Sequence, residues 1–265
     1  MKKISFLLLA AAFSIASAFA QLANVPMKYD FGPGKVQSGY TQVLPETVYT
    51  PEKGYGFWPG AQLTGVERKS GNALESDFIT SSKPFYFSVD LPDGNYDVSI
   101  TFGDKEGTST QIIRAECRRL LAETFSTPQG KIVKKDLTVH MHSLGIGTDG
   151  KKVLINPREV GFFHWDNQFT FEFAGAESKV CAIEIKKNDS AITVFLAGNS
   201  TVVDQDKEPW GAWGQMIPAF FKPGKVAVAN YAESGETFLA FKREQRLEKI
   251  WSMAKPGDYL FRVCP

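Results

Sequence analysis

The chemistry this sequence can offer is concentrated in two short runs. The nearly unbroken apolar stretch Ala191–Ala197 leads straight into Gly198-Asn199-Ser200-Thr201, so a hydroxyl stands at a strand's tip. A serine so placed becomes a nucleophile when a base removes its proton and backbone N–H groups receive the developing oxyanion. The second run, Asn230-Tyr231-Ala232-Glu233-Ser234-Gly235, follows another apolar strand, Val226–Ala229. A glycine at its end lets backbone come within hydrogen-bonding distance of a bound group. Spacing alone describes a cap or turn at Ser200 equally well, and Gly-Asn-Ser-Thr does not fit the Gly-x-Ser-x-Gly nucleophile elbow.

A base for Ser200 is harder to find. The three histidines are His140, His142 and His164, all upstream of Ala191. His140 and His142 share one face of a strand whose other face is Leu137, Val139 and Met141. Two imidazoles on one face could begin a zinc site, but no third ligand is near in sequence. No metal is expected, and both rings are read as surface groups. His164, inside Phe162-Phe163-His164-Trp165-Asp166, reads as part of an aromatic loop. Nothing in the sequence places any imidazole beside Ser200.

The elements that must position these runs fall into two regions. From about Asn24 to Asn188 the apolar period is two: Tyr96, Val98, Ile100 and Phe102 alternate with Asp97, Ser99 and Thr101, and Phe169, Phe171 and Phe173 with Thr170 and Glu172. Turn chemistry at Pro92-Asp93-Gly94-Asn95 reads as a hairpin between Phe85–Leu91 and Tyr96–Phe102. Short strands separated by Gly, Pro and Asp clusters predict an antiparallel sandwich or jelly roll. After Asp189 the order becomes strand, helix, strand, helix, strand. That order predicts a parallel sheet with its chemistry in the loops leaving the strand ends. Trp213, Met216, Ile217 and Phe220 give one helical stripe, shortened by Pro218, and Leu247, Ile250, Trp251 and Ala254 a second in a segment opening near Thr237. The expected units are a signal peptide at 1–20, a sandwich at 21–188 and an α/β unit at 191–265. That small last unit is expected to be marginal alone, with its final strand an exposed edge.

Composition narrows the partners. Thirty basic and 29 acidic residues nearly cancel, so no broad field draws the chain to nucleic acid or an anionic membrane. Lys2 and Lys3, the apolar run Phe6–Phe13 and Ala18-Phe19-Ala20 form a signal peptide with cleavage expected after Ala20, placing the protein outside the cytoplasm, secreted or periplasmic. The run is too short for a resident membrane span. Of the three cysteines, Cys117 and Cys181 lie on apolar strand faces and read as buried thiols, with a bridge between them left open; Cys264 is next to the last residue.

Several ordered blocks resemble one known family. Phe195-Leu196-Ala197-Gly198-Asn199-Ser200-Thr201-Val202-Val203-Asp204, the tryptophan-rich Pro209–Met216, Asn230–Gly235 and Lys255-Pro256-Gly257-Asp258 are similar to the SGNH (GDSL-like) hydrolases, in particular to the rhamnogalacturonan acetylesterase type of carbohydrate esterase. Tyr29-Asp30-Phe31-Gly32 and the Leu91–Asp104 segment look like the galactose-binding-like β-sandwich that precedes some of these enzymes. The resemblance implies a flavodoxin-like α/β unit, Ser200 as nucleophile, and the backbone N–H groups of Ser200 and Gly235 as oxyanion donors. Trp210 is a candidate for stacking on a sugar ring, while Trp213 is assigned to core packing. The implied substrate is an acetylated polysaccharide of the pectic rhamnogalacturonan kind, with no cofactor.

The departures matter as much. Asn199 stands where the family often has Asp. The family's Gly-His-Asn-Asp stretch and its Asp-x-x-His pair have no counterpart, since Tyr259-Leu260-Phe261 is followed by Arg262-Val263-Cys264-Pro265. The third oxyanion donor and the base with its acidic partner therefore have no residues to fall on. The chain is expected to be a C-terminally incomplete and nearly silent esterase. The alternative expectation is a secreted, non-catalytic glycan-binding protein using Tyr55, Phe57 and Trp58.

Overall fold

Alternating apolar residues fold the first part of the chain into two facing sheets. The computed structural model describes residues 26–69 and 71–263; the expected signal peptide and Cys264 lie outside the described residues. One sheet runs β10 (Lys131–Met141), β7 (Gly94–Asp104), β14 (Ser178–Lys187), β1 (Met27–Phe31) and β2 (Thr41–Val43), with β5 (Asp77–Ser81) also on β14 and β4 (Thr64–Glu67) on β5. The other runs β3 (Tyr55–Phe57), β6 (Phe85–Asp90), β13 (Gln168–Ala174), β8 (Ser109–Ala115) and β9 (Arg119–Thr127). Phe31, Phe57, Phe85, Phe87, Phe102, Phe169, Phe171 and Phe173 meet between the layers and are almost wholly buried. Each such ring contributes ~1.5–3 kcal/mol by leaving water. Tyr55 and Phe57, expected as glycan-contacting residues, are thus strand residues packed on or in this core.

Pro92–Asn95 is not a hairpin. β6 and β7 belong to opposite sheets, because β6 is already flanked by β3 and β13, and β7 by β10 and β14. Neither strand has a free edge for the other, so the turn carries the chain across the sandwich. Cys181 also departs from the simple alternation. A bulge between Val180 and Ala182 sends Val180, Ile183 and Ile185 to the core, while the Cys181 thiol faces the Gly103 carbonyl at 3.5 Å. Cys117 and Cys181 are both buried free thiols, so no bridge joins them.

The second part is a three-stranded parallel sheet in the order β16 (Val226–Asn230), β15 (Ile192–Gly198), β17 (Tyr259–Val263). The outer edge of β17 is unpaired among the described residues, and its side chains are largely exposed. The helices are shorter than their stripes suggest. α1 (Trp213–Met216) is one turn, continued as a 3₁₀ turn at Ile217–Phe220 around Pro218. Its buried residues are Gly214 and Gln215, whereas Trp213 is 40% exposed and Phe220 72%, which overturns the buried-stripe reading. Gly214 explains the rotation: a Cβ there would sit 2.1 Å from the Val202 carbonyl, so the helix packs by its glycine and turns the tryptophan out. The segment opening at Thr237 splits into α2 (Phe238–Arg243) and α3 (Arg246–Met253), with Gln245 between them at φ 62°. Among the described residues no helix is long and apolar enough to cross a membrane.

The parallel sheet does not rely on its own helices alone for cover. A long connection after β10, carrying the ribbon β11 (Gly145–Ile146) and β12 (Lys151–Lys152), brings Ile146, Val153 and Trp165 onto Phe195, Ala197, Ala229 and Tyr231. Phe241 and Ile250 close the same cluster from α2 and α3. The opposite face gathers Val194, Leu196 and Val228 under Val202, Val203 and Ala232. The expected weakness of the small α/β unit is therefore met by residues lent from the sandwich.

Candidate functional site

The loop after β15 is shaped by Asn199. Its side-chain carbonyl accepts from the Thr201 amide at 3.1 Å and the Thr201 hydroxyl at 3.0 Å, and its backbone carbonyl accepts from Val202 and Val203. An amide supplies these contacts as well as a carboxylate would, which explains how Asn serves there. Ser200 is left exposed at the crest. The loop after β16 joins it where the Glu233 amide donates to the Gly198 carbonyl at 3.1 Å. Gly235 follows with φ 75°, a left-handed conformation that favours glycine. Among the described residues, the amides of Ser200 and Gly235 donate to no protein acceptor.

Both loops are held from the sandwich. Arg119, at the start of β9, donates from Nε to Asp204 Oδ2 at 2.8 Å, and Asn230 Nδ2 donates to Asp204 Oδ1 at 2.8 Å and to the Val202 carbonyl at 2.7 Å. Arg118 donates to the carbonyl of Trp210 at 3.1 Å, leaving the indole of Trp210 62% exposed. Arg158 donates from Nε to Glu233 Oε1 at 2.6 Å and from its terminal nitrogen to the Ser234 carbonyl, next to Gly235. Sequence reasoning missed Arg158. The readable signal was Asn156-Pro157-Arg158-Glu159, a proline-opened turn whose Glu159 carboxylate accepts from the Asn156 amide at 2.7 Å.

Behind this contact lies a dense charge network. Burial pushes the Glu159 carboxyl up, but His164, 3.6 Å away, and the hydrogen bond and charge of Arg246 outweigh it and bring it to about 2. Burial pushes the Glu233 carboxyl to about 7, aided by the charge of Glu159 and opposed by Arg158. Glu159, His164 and Glu233 place ligand atoms within 4.8 Å of one another. Arg246 and Arg158 already occupy these carboxylates, so the chemistry of the group is that of an ion-pair network rather than a cation cage.

His164 lies in a turn against Phe162 and Trp165, the aromatic loop the sequence suggests, but the other two imidazoles are not where it places them. His140 and His142 are buried, not on the surface, because Tyr231 and Trp165 fold over the outer face of β10. His140 Nδ1 meets Asn95 Oδ1 at 2.7 Å, and burial drives its pKa to about 3. His142 stacks on Tyr231 at 4.3 Å with neither ring nitrogen hydrogen-bonded, and burial drives its pKa well below the usual value. His164 faces Glu159 at 3.6 Å. No histidine among the described residues hydrogen-bonds to Ser200.

The unpartnered imidazole has a measurable consequence. Below the ordinary histidine pKa of about 6.5 the unfolded chain takes up a proton that folded His142 refuses, so its contribution to stability is lost as pH falls. His142→Phe should therefore gain stability relative to the native chain between pH 7 and pH 5, read as the difference in melting temperature across that range. An equal difference at both pH values would show that His142 is not held neutral.

With this geometry in place, comparison with known proteins gives a consistent picture. Residues 27–122 match the family model described as beta-agarase/YXIM esterase-like, galactose-binding domain-like. The chain is 28% identical over 244 residues to "Uncharacterized esterase YxiM" of Bacillus subtilis (strain 168), covering 88% of this chain and 57% of that protein. It is 36% identical over 69 residues to "Probable rhamnogalacturonan acetylesterase YesY" of the same organism, covering 26% of this chain and 31% of that one. A crystal structure of the Bacillus subtilis YxiM protein is similar at TM-score 0.46 and 26% identity, covering 89% of this chain and 62% of the other. The chain spans little more than half of the first curated relative and about a third of the second. It is homologous to esterases, and its first part is galactose-binding-like.

Proposed function

We propose that the protein is an exported carbohydrate esterase of the SGNH type, acting on acetylated polysaccharide of the rhamnogalacturonan kind. The proposed division is a signal peptide at 1–20, a sandwich at 21–188 and a hydrolase unit from 191. One observation carries the reading: Ser200 stands exposed at the end of a buried parallel strand, beside a Gly235 loop, with both amides unengaged. In this reading the Ser200 oxygen attacks the acetyl carbonyl as a base takes its proton, the two amides hold the oxyanion, the C–O bond to the sugar breaks and the sugar hydroxyl leaves with that proton, and water then cleaves the acetyl-serine to release acetate and restore the hydroxyl. The esterase relatives support it.

Because no imidazole bonds to Ser200 and the hydroxyl is open to solvent, a diffusible base can be supplied. Acetate release from acetylated rhamnogalacturonan in imidazole buffer should be faster with the native chain than with Ser200→Ala. Equal rates would count against Ser200 as the nucleophile. That no histidine among the described residues hydrogen-bonds to Ser200 equally fits a second reading, in which the chain binds glycan without catalysis. Saccharide binding without any Ser200-dependent acetate release would support that one.

A further inference from the structure

A large cleft in the described structure lies away from Ser200. It lies at the end of the sandwich, has a volume of about 870 Å³, and is lined by Tyr49 and Trp58 and by the Val160–Asn167 segment, which carries Phe163. Tyr49 and Trp58 lie parallel, 5° apart in plane with centroids at 6.0 Å, and Phe163 meets Trp58 edge-on at 5.3 Å. The rings are pinned by their polar ends. Trp58 Nε1 donates to Ser88 Oγ at 2.6 Å, and the Tyr49 hydroxyl donates to Asp90 Oδ1 at 2.8 Å.

Among the charged groups of this lining, acids outnumber bases. Asp90, Asp166 and Gln168 contribute acceptors, and Gln168 Oε1 is buried without any hydrogen-bond partner. Glu159 is spent on Arg246, and Lys152 is the one cationic side chain in the lining. Acceptors fixed beside aromatic rings match a sugar, whose C–H faces pack on rings and whose hydroxyls donate. They oppose a uronate, whose carboxylate can only accept and carries the same charge as Asp90, with Asp166, raised by burial to about 7, adding to the repulsion as it loses its proton.

We propose that this cleft is a saccharide-binding site selective for neutral sugars over uronic acids, separate from the Ser200 loop. The inference rests on the reading that the protein works on polysaccharide, but it does not need catalysis. The 3₁₀ turn Pro157–Glu159, which leads into this wall segment and whose Glu159 lines the cleft, carries Arg158, which holds Glu233 and the Ser234 carbonyl. A neutral part of the polysaccharide seated here would thus be bound beside the turn that fixes the Gly235 loop.

The test is binding by the full chain. Neutral β-1,4-linked tetrasaccharides of galactose, glucose and xylose are compared with tetragalacturonate by calorimetry and tryptophan fluorescence. At least one neutral sugar should bind about tenfold or more tightly than the uronate, a difference of about 1.4 kcal/mol. Tyr49→Ala, shown by circular dichroism to be folded, should lose that binding, and Asp166→Asn, which keeps the side-chain shape, should narrow the neutral-to-uronate gap. Uronate binding as tight as neutral, undiminished binding by folded Tyr49→Ala, or no response to any neutral sugar at millimolar concentration would overturn the proposal. The imidazole experiment reads the esterase assignment separately. Either result can fail while the other stands.

Discussion

In buffer without imidazole, the 265-residue chain and its Ser200→Ala variant are expected to release acetate from acetylated rhamnogalacturonan at the same background rate. The expectation follows from where the possible bases sit. His140 is tied to Asn95, His142 is sealed between Tyr231 and Trp165, and His164 faces Glu159. Glu233 has a carboxyl raised to about 7, the right range for a general base, but Arg158 holds it through two contacts. A serine without a base forfeits about 10⁴–10⁶ in turnover, since oxyanion donors and binding alone leave only a residual rate. Native chain exceeding the variant by about tenfold or more, a barrier difference of about 1.4 kcal/mol, would show that one of these groups does reach the hydroxyl. His164→Ala and Glu233→Gln would then identify it.

What the sequence revealed of this arrangement follows a physical division. Period-two alternation in Tyr96–Phe102 and Phe169–Phe173 depends only on local geometry, and those residues form the core as read. The Ser200 and Gly235 runs were legible because a strand followed by a glycine-bearing loop is also local. Pairing is not local. Pro92–Asn95 has good turn chemistry, yet both neighbouring strands already had two partners elsewhere. His140 and His142 sit on the polar side of β10 by alternation, and only Tyr231, some ninety residues away in sequence, makes that side an interior. The same limit hid Arg158 and the Tyr49–Trp58 cleft, which exist only because distant segments meet. Trp213 failed for another reason, since its helix packs through the backbone of Gly214, which a stripe of large residues conceals.

The second large effect is expected at the joint between the sandwich and the parallel sheet. Arg119→Ala should lower stability by about 3–5 kcal/mol, because it leaves a buried carboxylate without its partner. Arg119 is 1% exposed and Asp204 4%, and Glu116, also buried, lies in the same charge field. Burial pushes the Glu116 carboxyl well above its ordinary value, toward the neutral form. Taking the other two charges out of water is costly, and the attraction between Asp204 and the guanidinium offsets that cost only while the guanidinium is present. Asp204 also accepts from Asn230, the first residue of the Gly235 run, and Asp204 lies four positions after Ser200. Loss of Arg119 should therefore loosen both loops, seen as faster amide exchange at 199–205 and 230–236 alongside a lower denaturant midpoint. The double variant Arg119→Met with Asp204→Leu separates charge from shape. Removing both partners should recover most of the lost stability, as replacing a buried pair by apolar groups of similar volume is often neutral. If the double variant is no more stable than Arg119→Ala, the ion pair is not what joins the two parts, and the shared cluster of Trp165, Phe195 and Tyr231 carries the joint instead.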